Sequence, residues 1–264
     1  MEIRLCSIAS GSSGNCIYVG TDDEGIIIDS GVSAKMVFEG LKNIGVCASQ
    51  IKGIFVTHEH SDHTKGIGPL ARKLNVPIYA NEHTWFAMEG SLGKIKHEQV
   101  KHIKAGEVIG VGGIGVGSYK ISHDAVNPMG YFFLKDGKKV SVATDLGYIT
   151  PEVEEGIFGS KVVLLESNHD INMLMAGSYP FFLKKRILSE VGHLSNVNAG
   201  EFACRLFENG TTSLLLGHLS RENNFPELAY ETVKAGLMKN GILIEKHIDL
   251  HVAPRCDISK VFAF

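Results

Sequence analysis

The sequence predicts an α/β protein that forms one domain over residues 1–264. Three observations support this prediction. Short, apolar, β-rich runs recur along the chain, and stretches with helical character separate several of them. Side chains that can bind a metal ion stand at or just after several of these runs. No linker rich in proline, glycine or serine divides the chain, and no internal repeat is visible, so we expect a single domain.

The first part of the chain predicts four strands and one helix. The predicted strands cover residues 2–8, 16–20, 25–28 and 54–56, and the predicted helix covers 33–44. The turn at 9–15 is rich in glycine and serine, which suit tight backbone conformations. Ser12, Ser13 and Asn15 in this turn belong either to a simple hairpin or to a loop that faces a substrate, and both interpretations stay open.

The rest of the chain continues the alternation of strands and helices. The predicted strands cover 76–80, 108–121, 131–134, 139–144, 161–165, 212–216 and 242–251. The predicted helices cover 64–74, part of 171–190, 197–207 and 226–238. Ser195 or Asn196 would cap the helix that begins at 197. Residues 81–104 form the most basic stretch, which we interpret as solvated surface.

Composition and charge narrow the possible functions. The net charge of −3 provides no overall positive field to attract nucleic acid, so such a role would depend on a local patch or on metal ions. The five cysteines are scattered without a Cys-x-x-Cys pair, which is typical of buried thiols in a reducing compartment. No secretory leader opens the chain, and no apolar run approaches the roughly 20 residues that span a bilayer. We therefore expect a cytoplasmic protein without a membrane partner.

The most informative stretch is residues 54–64, in which three histidines and an aspartate follow an apolar strand. Imidazole and carboxylate groups suit zinc, manganese or iron better than calcium. In an extended segment, His58 and His60 project to the same side. Asp62 and His63 require a turn and can then reach a second ion, about 3.5–4 Å from the first in two-metal hydrolases. A polar turn that is merely rich in histidine is the alternative, and this density of ligands makes it improbable.

The pattern His-x-His-x-Asp-His at 58–63 resembles the signature of the metallo-β-lactamase superfamily. This resemblance implies a four-layer αββα sandwich with the site at one edge of two sheets. It also implies that His123 and His218 are further ligands and that Asp145 bridges two ions. Asp29 is implied to orient the metal-binding loop through hydrogen bonds. From the residues alone, Asp29 could equally cap the next helix, His123 could be a structural histidine, and Asp145 could open a turn.

Four loops resemble one subfamily more closely, the YycJ/WalJ exonucleases. These loops are residues 10–15, 166–170, 192–196 and 218–224. The resemblance implies a 5′-to-3′ exonuclease-like activity on the ends of double-stranded DNA that depends on manganese. No second domain interrupts the chain between Asp145 and His218, so the inserted clamp of ribonuclease J is not expected here.

The resemblance also implies the cofactors and a division of the ligands between them. Two divalent ions are expected, manganese or zinc, with iron as a further option. The first ion would be held by His58, His60 and His123, the second by Asp62, His63 and His218, and both by Asp145. Asp62 thus counts both as a ligand and as a catalytic residue.

The remaining candidate residues concern proton transfer and the substrate. His193, oriented by Glu166, would protonate the leaving oxygen, although it could instead simply pack beside a helix start. Asn168 and Arg221 complete the candidate substrate-binding set, and a surface arginine often has no such role. A hydrolase of small esters, thioesters or lactones is the rival function, and a non-catalytic metal-binding module is the third. The residues leave the choice of DNA or RNA and the oligomeric state open.

Overall fold

The computed structural model describes residues 2–264, in which two seven-stranded sheets are flanked by helices. The strands are β1 (Arg4–Ala9), β2 (Cys16–Gly20), β3 (Gly25–Ile28), β4 (Ile51–Phe55), β5 (Ile78–Ala80), β6 (Val100–His102), β7 (Val108–Val111), β8 (Ile114–Lys120), β9 (Met129–Lys135), β10 (Lys138–Ala143), β11 (Val162–Glu166), β12 (Ser213–Gly217), β13 (Asp249–Val252) and β14 (Phe262–Ala263). The helices are α1 (Ala34–Asn43), α2 (Ser61–Thr64), α3 (Ile67–Leu74), α4 (Glu82–Leu92), α5 (Pro151–Ile157), α6 (Ile171–Ala176), α7 (Phe181–Ile187), α8 (Asn196–Glu208) and α9 (Pro226–Lys239).

The order of the strands brings several carboxyl ends to one edge of the molecule. The first sheet has the order β14-β1-β2-β3-β4-β5-β6, and the second has the order β13-β12-β11-β10-β9-β8-β7. β3 and β4 pair in parallel, as do β10, β11, β12 and β13 in succession. Because parallel strands end on the same side, the loops that follow them converge there.

Alternation along the strands explains the four layers. In β2, Ile17 and Val19 belong to the core between the sheets, whereas Tyr18 packs in the core under α1, α3 and α4. In β11, Leu164 lies between the sheets and Leu165 faces the core that includes α8 and α9. Successive residues of a strand point to opposite faces, so both faces of each sheet are covered. Burying each such side chain contributes about 1.5–3 kcal/mol. The predicted αββα sandwich is confirmed.

Two predicted helix starts agree with the side chains that cap them. Ser33 caps α1 by accepting a hydrogen bond from the Met36 amide at 3.3 Å, so Asp29 does not serve as this cap. Ser195 caps α8 by accepting one from the Asn198 amide at 3.2 Å. Such caps satisfy amides at the start of a helix that have no partner within it.

The helix predicted at 64–74 begins only at Ile67, as α3, and a separate short helix, α2, ends at Thr64 on the other side of Gly66. A Cβ atom at Gly66 would lie 1.9 Å from the carbonyl oxygen of Val32, so the backbone approaches the neighbouring loop too closely for a side chain. The Gly66 amide donates to the Ser30 carbonyl at 2.7 Å, and this bond joins the turn at Gly66 to the loop that follows β3. The break fixes the short helix that carries Asp62 and His63 against the strand ends.

Other differences from the expected elements lie away from this edge. α4 and α5 were not predicted, although α4 buries Trp85 and Met88 in the core between the first sheet and its helices. The strand expected at 242–251 is wrong over its first part, since β13 begins at Asp249 and residues 242–248 form a loop with one isolated bridge. β14 was also missed. Within residues 2–264, none of the helices combines the length and the apolar character that crossing a bilayer requires.

Candidate metal centre

Residues that follow three strands adopt a left-handed backbone conformation at the converging edge. Asp29 after β3, Asp145 after β10 and His218 after β12 have φ values of 57°, 60° and 54°. This conformation is uncommon for residues other than glycine and needs support from the surrounding structure. All three side chains are buried. The turns therefore direct polar side chains into the interior between the two sheets rather than into solvent.

The loop after β4 brings its four candidate ligands together. Strand β4 ends at Phe55, and the short helix α2 begins just after His60. The centroid of the His58 ring lies 4.6 Å from the centroid of the His60 ring and 4.2 Å from that of the His63 ring. The turn that the spacing of Asp62 and His63 required is thus present.

Hydrogen bonds to Thr57 and Asp29 occupy the Nδ1 atoms of His58 and His63. Asp29 accepts from the Thr57 amide and from the Thr57 hydroxyl, both at 2.8 Å. Because that hydroxyl donates to Asp29, its oxygen accepts from His58 Nδ1 at 2.9 Å. The Nδ1 of His63 donates directly to Asp29 Oδ2 at 2.7 Å. Both rings are left with Nε2 as the nitrogen that can bind a metal.

On the side of the second sheet, the Nδ1 atoms of two further histidines are likewise held by hydrogen bonds. His123 Nδ1 donates to the Gly192 carbonyl at 3.1 Å, and His218 Nδ1 donates to Glu166 Oε1 at 2.7 Å. The Nε2 atoms of these rings are therefore the available ligand atoms. In His218, Nε2 is buried without a hydrogen-bond partner.

The candidate ligand atoms form two neighbouring trios. Within each trio, all ligand atoms lie within 4.8 Å of one another; the trios are His58, His60, His123 and Asp62, His63, His218. Asp145 lies between them, with Oδ2 at 3.2 Å from His63 Nε2 and Oδ1 at 3.6 Å from His123 Nε2. Oδ2 of Asp145 is buried and lacks a hydrogen-bond partner. Leaving such atoms unpaired costs about 1–3 kcal/mol each, and a bound cation would satisfy them. The nitrogen and oxygen donors fit divalent metal ions.

The pKa values of the buried groups also fit a site that exchanges protons for metal ions. Burial lowers the pKa of His58 well below its usual range, and repulsion from His63 adds to this effect, so the ring is neutral. Burial opposes charge on His218 as well, but the neighbouring carboxylates of Asp145, Asp62 and Glu166 raise its pKa to about 10. Metal binding at His218 must therefore displace a proton.

Glu166 links two of the histidines at this edge. Its Oε1 accepts from His193 Nδ1 at 2.9 Å and from His218 Nδ1 at 2.7 Å, while Oε2 accepts from the amides of Leu146 and Leu194 at 2.7 and 3.1 Å. Burial raises the pKa of Glu166, yet the charge and hydrogen bond of His193 outweigh this and lower it to about 2. The carboxylate thus orients His193 beside the two trios.

Comparison with known proteins identifies the family. A family model described as the metallo-beta-lactamase superfamily matches residues 9–183. The chain belongs to this superfamily. It is 41% identical over 251 residues to a protein of Bacillus anthracis named exodeoxyribonuclease YycJ. This alignment covers 95% of each of the two chains. It is 43% identical over 228 residues to a Streptococcus pneumoniae protein named exodeoxyribonuclease WalJ, covering 86% of this chain and 85% of that one. The chain therefore also belongs to the YycJ/WalJ family, and the predicted resemblance is confirmed.

Solved structures support the fold alone. The metallo-beta-lactamase fold protein YhfI from Bacillus subtilis superimposes with a TM-score of 0.70 at 16% sequence identity and covers the whole of both chains. At this identity, the comparison confirms the layered architecture and says nothing about the substrate.

The candidate substrate-binding residues separate into three groups in this metallo-beta-lactamase fold. Ser12 and Asn168 line a cavity of about 180 Å³ together with His193. Asn15 is fully buried, and its amide nitrogen lies 3.0 Å from His63 Nε2. Ser13 and Arg221 are exposed and do not contribute to the lining of this cavity. Only the first group, then, is placed beside His193.

Two residues with site contacts were not singled out from the sequence. Thr57 connects Asp29 to His58, and its position between the strand and the first histidine could have indicated this role. Asp124 lies beside His123, with Oδ1 at 3.3 Å from His123 Nε2, and it also pairs with Arg186. Arg186 is distant in sequence, so no local pattern indicates that pairing.

Proposed function

We propose that this protein is a metal-dependent exodeoxyribonuclease that hydrolyses phosphodiester bonds at DNA ends. The observation that carries the proposal is the Glu166–His193 pair, in which buried Glu166 holds His193 at the lining of the cavity beside the two trios. An alkoxide leaving group needs a proton, whereas a thiolate does not, so this pair favours phosphodiesters over thioesters. The names of the two bacterial relatives, both exodeoxyribonucleases, support the same activity.

We assign two divalent ions to the two trios, with Asp145 shared between them. We propose manganese as the native metal, with zinc and iron as the other metals that such donors accept. When bound, the ions would activate a water molecule and offset the charge that develops on the phosphate. Asp29 and Thr57 hold the His58 and His63 rings so that their Nε2 atoms remain available.

His193 is assigned the proton transfer to the leaving oxygen. Glu166 accepts from its Nδ1, which fixes the orientation of the ring and leaves Nε2 for a substrate in the cavity. Proton transfer by a positioned side chain typically contributes about 10²–10⁴-fold to the rate. Ser12 and Asn168 are assigned contacts with the substrate from the same cavity wall.

Several finer features belong to the same proposal. Hydrolysis would proceed from the 5′ end of a strand. The protein would carry it out with a single domain that has no inserted clamp. Arg221 and Ser13 would contact the DNA backbone from exposed positions at the periphery. A cytoplasmic location is supported by the five cysteines, all of which are free thiols.

The decisive experiment compares linear duplex DNA labelled at either end with a generic ester, a thioester and a lactone. We expect nucleotides to be released from the 5′-labelled duplex in the presence of Mn²⁺ and release to stop in EDTA. A covalently closed DNA circle, which has no end, should resist. Rapid turnover of the ester, thioester or lactone without release from DNA would replace the proposal with the small-molecule hydrolase.

A further inference from the structure

The segment between Glu166 and His193 exposes two adjacent aromatic side chains. We define residues 171–192, which include α6 and α7, as the arm. Phe181 and Phe182, at the start of α7, are 76% and 74% exposed. Large apolar side chains are ordinarily covered in a folded domain, and an exposed pair beside a functional cavity marks a binding surface.

The arm is continuous with the proposed site. Tyr179, Leu183, Arg186 and Ile187 line the same cavity as His193. Phe181 and Phe182 stand on the same helix as Leu183, next to it in sequence and outside the lining of the cavity.

Hydrogen bonds hold the arm in place. Lys184 Nζ donates to the carbonyl oxygens of Met175 and Gly177, both at 2.7 Å. The Asp124 amide donates to the Val191 carbonyl at 3.1 Å, which ties the arm to the rest of the domain. The two phenylalanines are thus presented from an anchored segment that leads directly to the proposed proton donor.

The charge of the arm differs from that of the whole chain. The arm carries Lys184, Lys185 and Arg186 against Glu190, which gives 3 − 1 = +2, whereas the full chain carries −3. Arg186 is paired with Asp124, and Lys184 is bonded within the arm. Lys185 is exposed and has no ion pair or hydrogen bond with any residue in the described range 2–264. It is therefore the cation available for a phosphate.

We infer that Phe181 and Phe182 stack on the bases at a DNA end while Lys185 contacts the adjacent backbone phosphate. Inside a duplex, both faces of every base pair are covered by neighbours, and only an end exposes a base face on which an aromatic ring can stack. A stacking surface beside the catalytic cavity would therefore select ends over internal positions. The inference rests on the proposed function and accounts for the gripping of DNA ends without an inserted clamp domain.

The test uses paired variants of the full-length protein. Phe181→Ala/Phe182→Ala removes both rings, Phe181→Trp/Phe182→Trp keeps stacking, and Lys185→Gln removes the cation. The matched controls are Phe86→Ala, which alters an 81% exposed phenylalanine on α4, and Lys94→Gln, which alters an exposed lysine. Steady-state rates are measured on blunt linear duplex DNA and on bis(p-nitrophenyl) phosphate, which has no duplex end.

We expect the double alanine variant to raise KM for DNA about tenfold or more, because stacking on each base is a substantial part of end binding. Its loss of kcat/KM on DNA should exceed its loss on the small phosphodiester by about the same factor. The tryptophan variant should retain the wild-type KM. Lys185→Gln should reduce the slope of log affinity against log salt concentration by about one. Both controls should match the wild type on DNA.

Three results would overturn the inference. If the wild type releases no nucleotides from DNA, the proposed function fails, and the inference fails with it. If the wild type is active and the double alanine variant matches Phe86→Ala while melting normally by circular dichroism, the arm inference alone fails. If that variant converts a dimer into a monomer in light scattering and leaves KM for DNA unchanged, the rings form an interface between copies.

Discussion

The two sheets contribute to the candidate metal centre in different ways. The first sheet supplies His58, His60, Asp62 and His63 from one continuous loop after β4. The second sheet supplies single residues that follow or end separate strands, namely His123, Asp145, Glu166 and His218. The first half can be arranged by one local turn, whereas Asp145, Glu166 and His218 come together only when β10, β11 and β12 pair in parallel register.

The supporting contacts differ in the same way. In the first half, Asp29 and Thr57 support the rings within one small hydrogen-bonded group. In the second half, Glu166 contacts both a candidate ligand, His218, and the proposed proton donor, His193. Substitutions in the first half should therefore affect metal binding alone, whereas those in the second half can separate metal binding from proton transfer.

The largest effect is expected where the two halves meet. Asp145→Ala removes the carboxylate that lies between the trios, so both ions should be lost and turnover should fall about 10³-fold or more. Metal content by inductively coupled plasma mass spectrometry and nuclease rates on the same preparation test this. The control is Asp23→Ala, which alters an exposed aspartate and should keep both the metal content and the nuclease rate of the wild type. An Asp145→Ala protein that retains two ions would exclude the bridging role.

A large effect confined to turnover is expected in the second half. His193→Ala should lower kcat on DNA about 10²–10⁴-fold, because the leaving oxygen loses its proton donor. Metal content should equal that of the wild type. The loss on bis(p-nitrophenyl) phosphate should be much smaller, since nitrophenolate leaves without a proton.

His83→Ala, which changes an exposed histidine on α4, is the matched control for this prediction and should leave both rates unchanged. Loss of metal from the His193→Ala protein in parallel with its loss of turnover would instead assign His193 to the ligands. Equal losses of kcat on DNA and on bis(p-nitrophenyl) phosphate would exclude the role of His193 as a proton donor.

The smallest of these effects is expected in the first half. Asp29→Asn removes a carboxylate that orients His63 and, through Thr57, His58, so metal affinity should fall about 10–100-fold. Competition with a chelating dye measures the affinity, and kcat should recover when metal is in excess. Thr57→Val, which leaves the direct hydrogen bond between His63 and Asp29 in place, should weaken binding less. Wild-type affinity in Asp29→Asn would show that the carboxylate does not orient the rings.

The fold was predicted best where local patterns are strong. β2 and β3 have the predicted bounds, and the strand, helix and cap signals around α8 also agree with the structure. α4 was missed because its apolar residues Trp85 and Met88 are embedded in a stretch that is mostly polar and basic. The first part of the strand expected at 242–251 is a loop because only residues from Asp249 onward pair with β12. Pairing partners are a tertiary property that the apolar pattern does not contain.

For the candidate site, the sequence by itself determined the candidate metal-binding loop at 58–63, because its candidate ligands are close in the chain and need only a strand end and one turn. His123, Asp145 and His218 were expected only through resemblance to a family, and their convergence was decided by the packing of two sheets. The same packing decided the contacts of Thr57, the sharing of Glu166 by two histidines and the position of the arm beside the cavity. The physical reason is that these contacts join residues distant in sequence, and only strand pairing within each sheet together with the packing of the two sheets brings them to one edge.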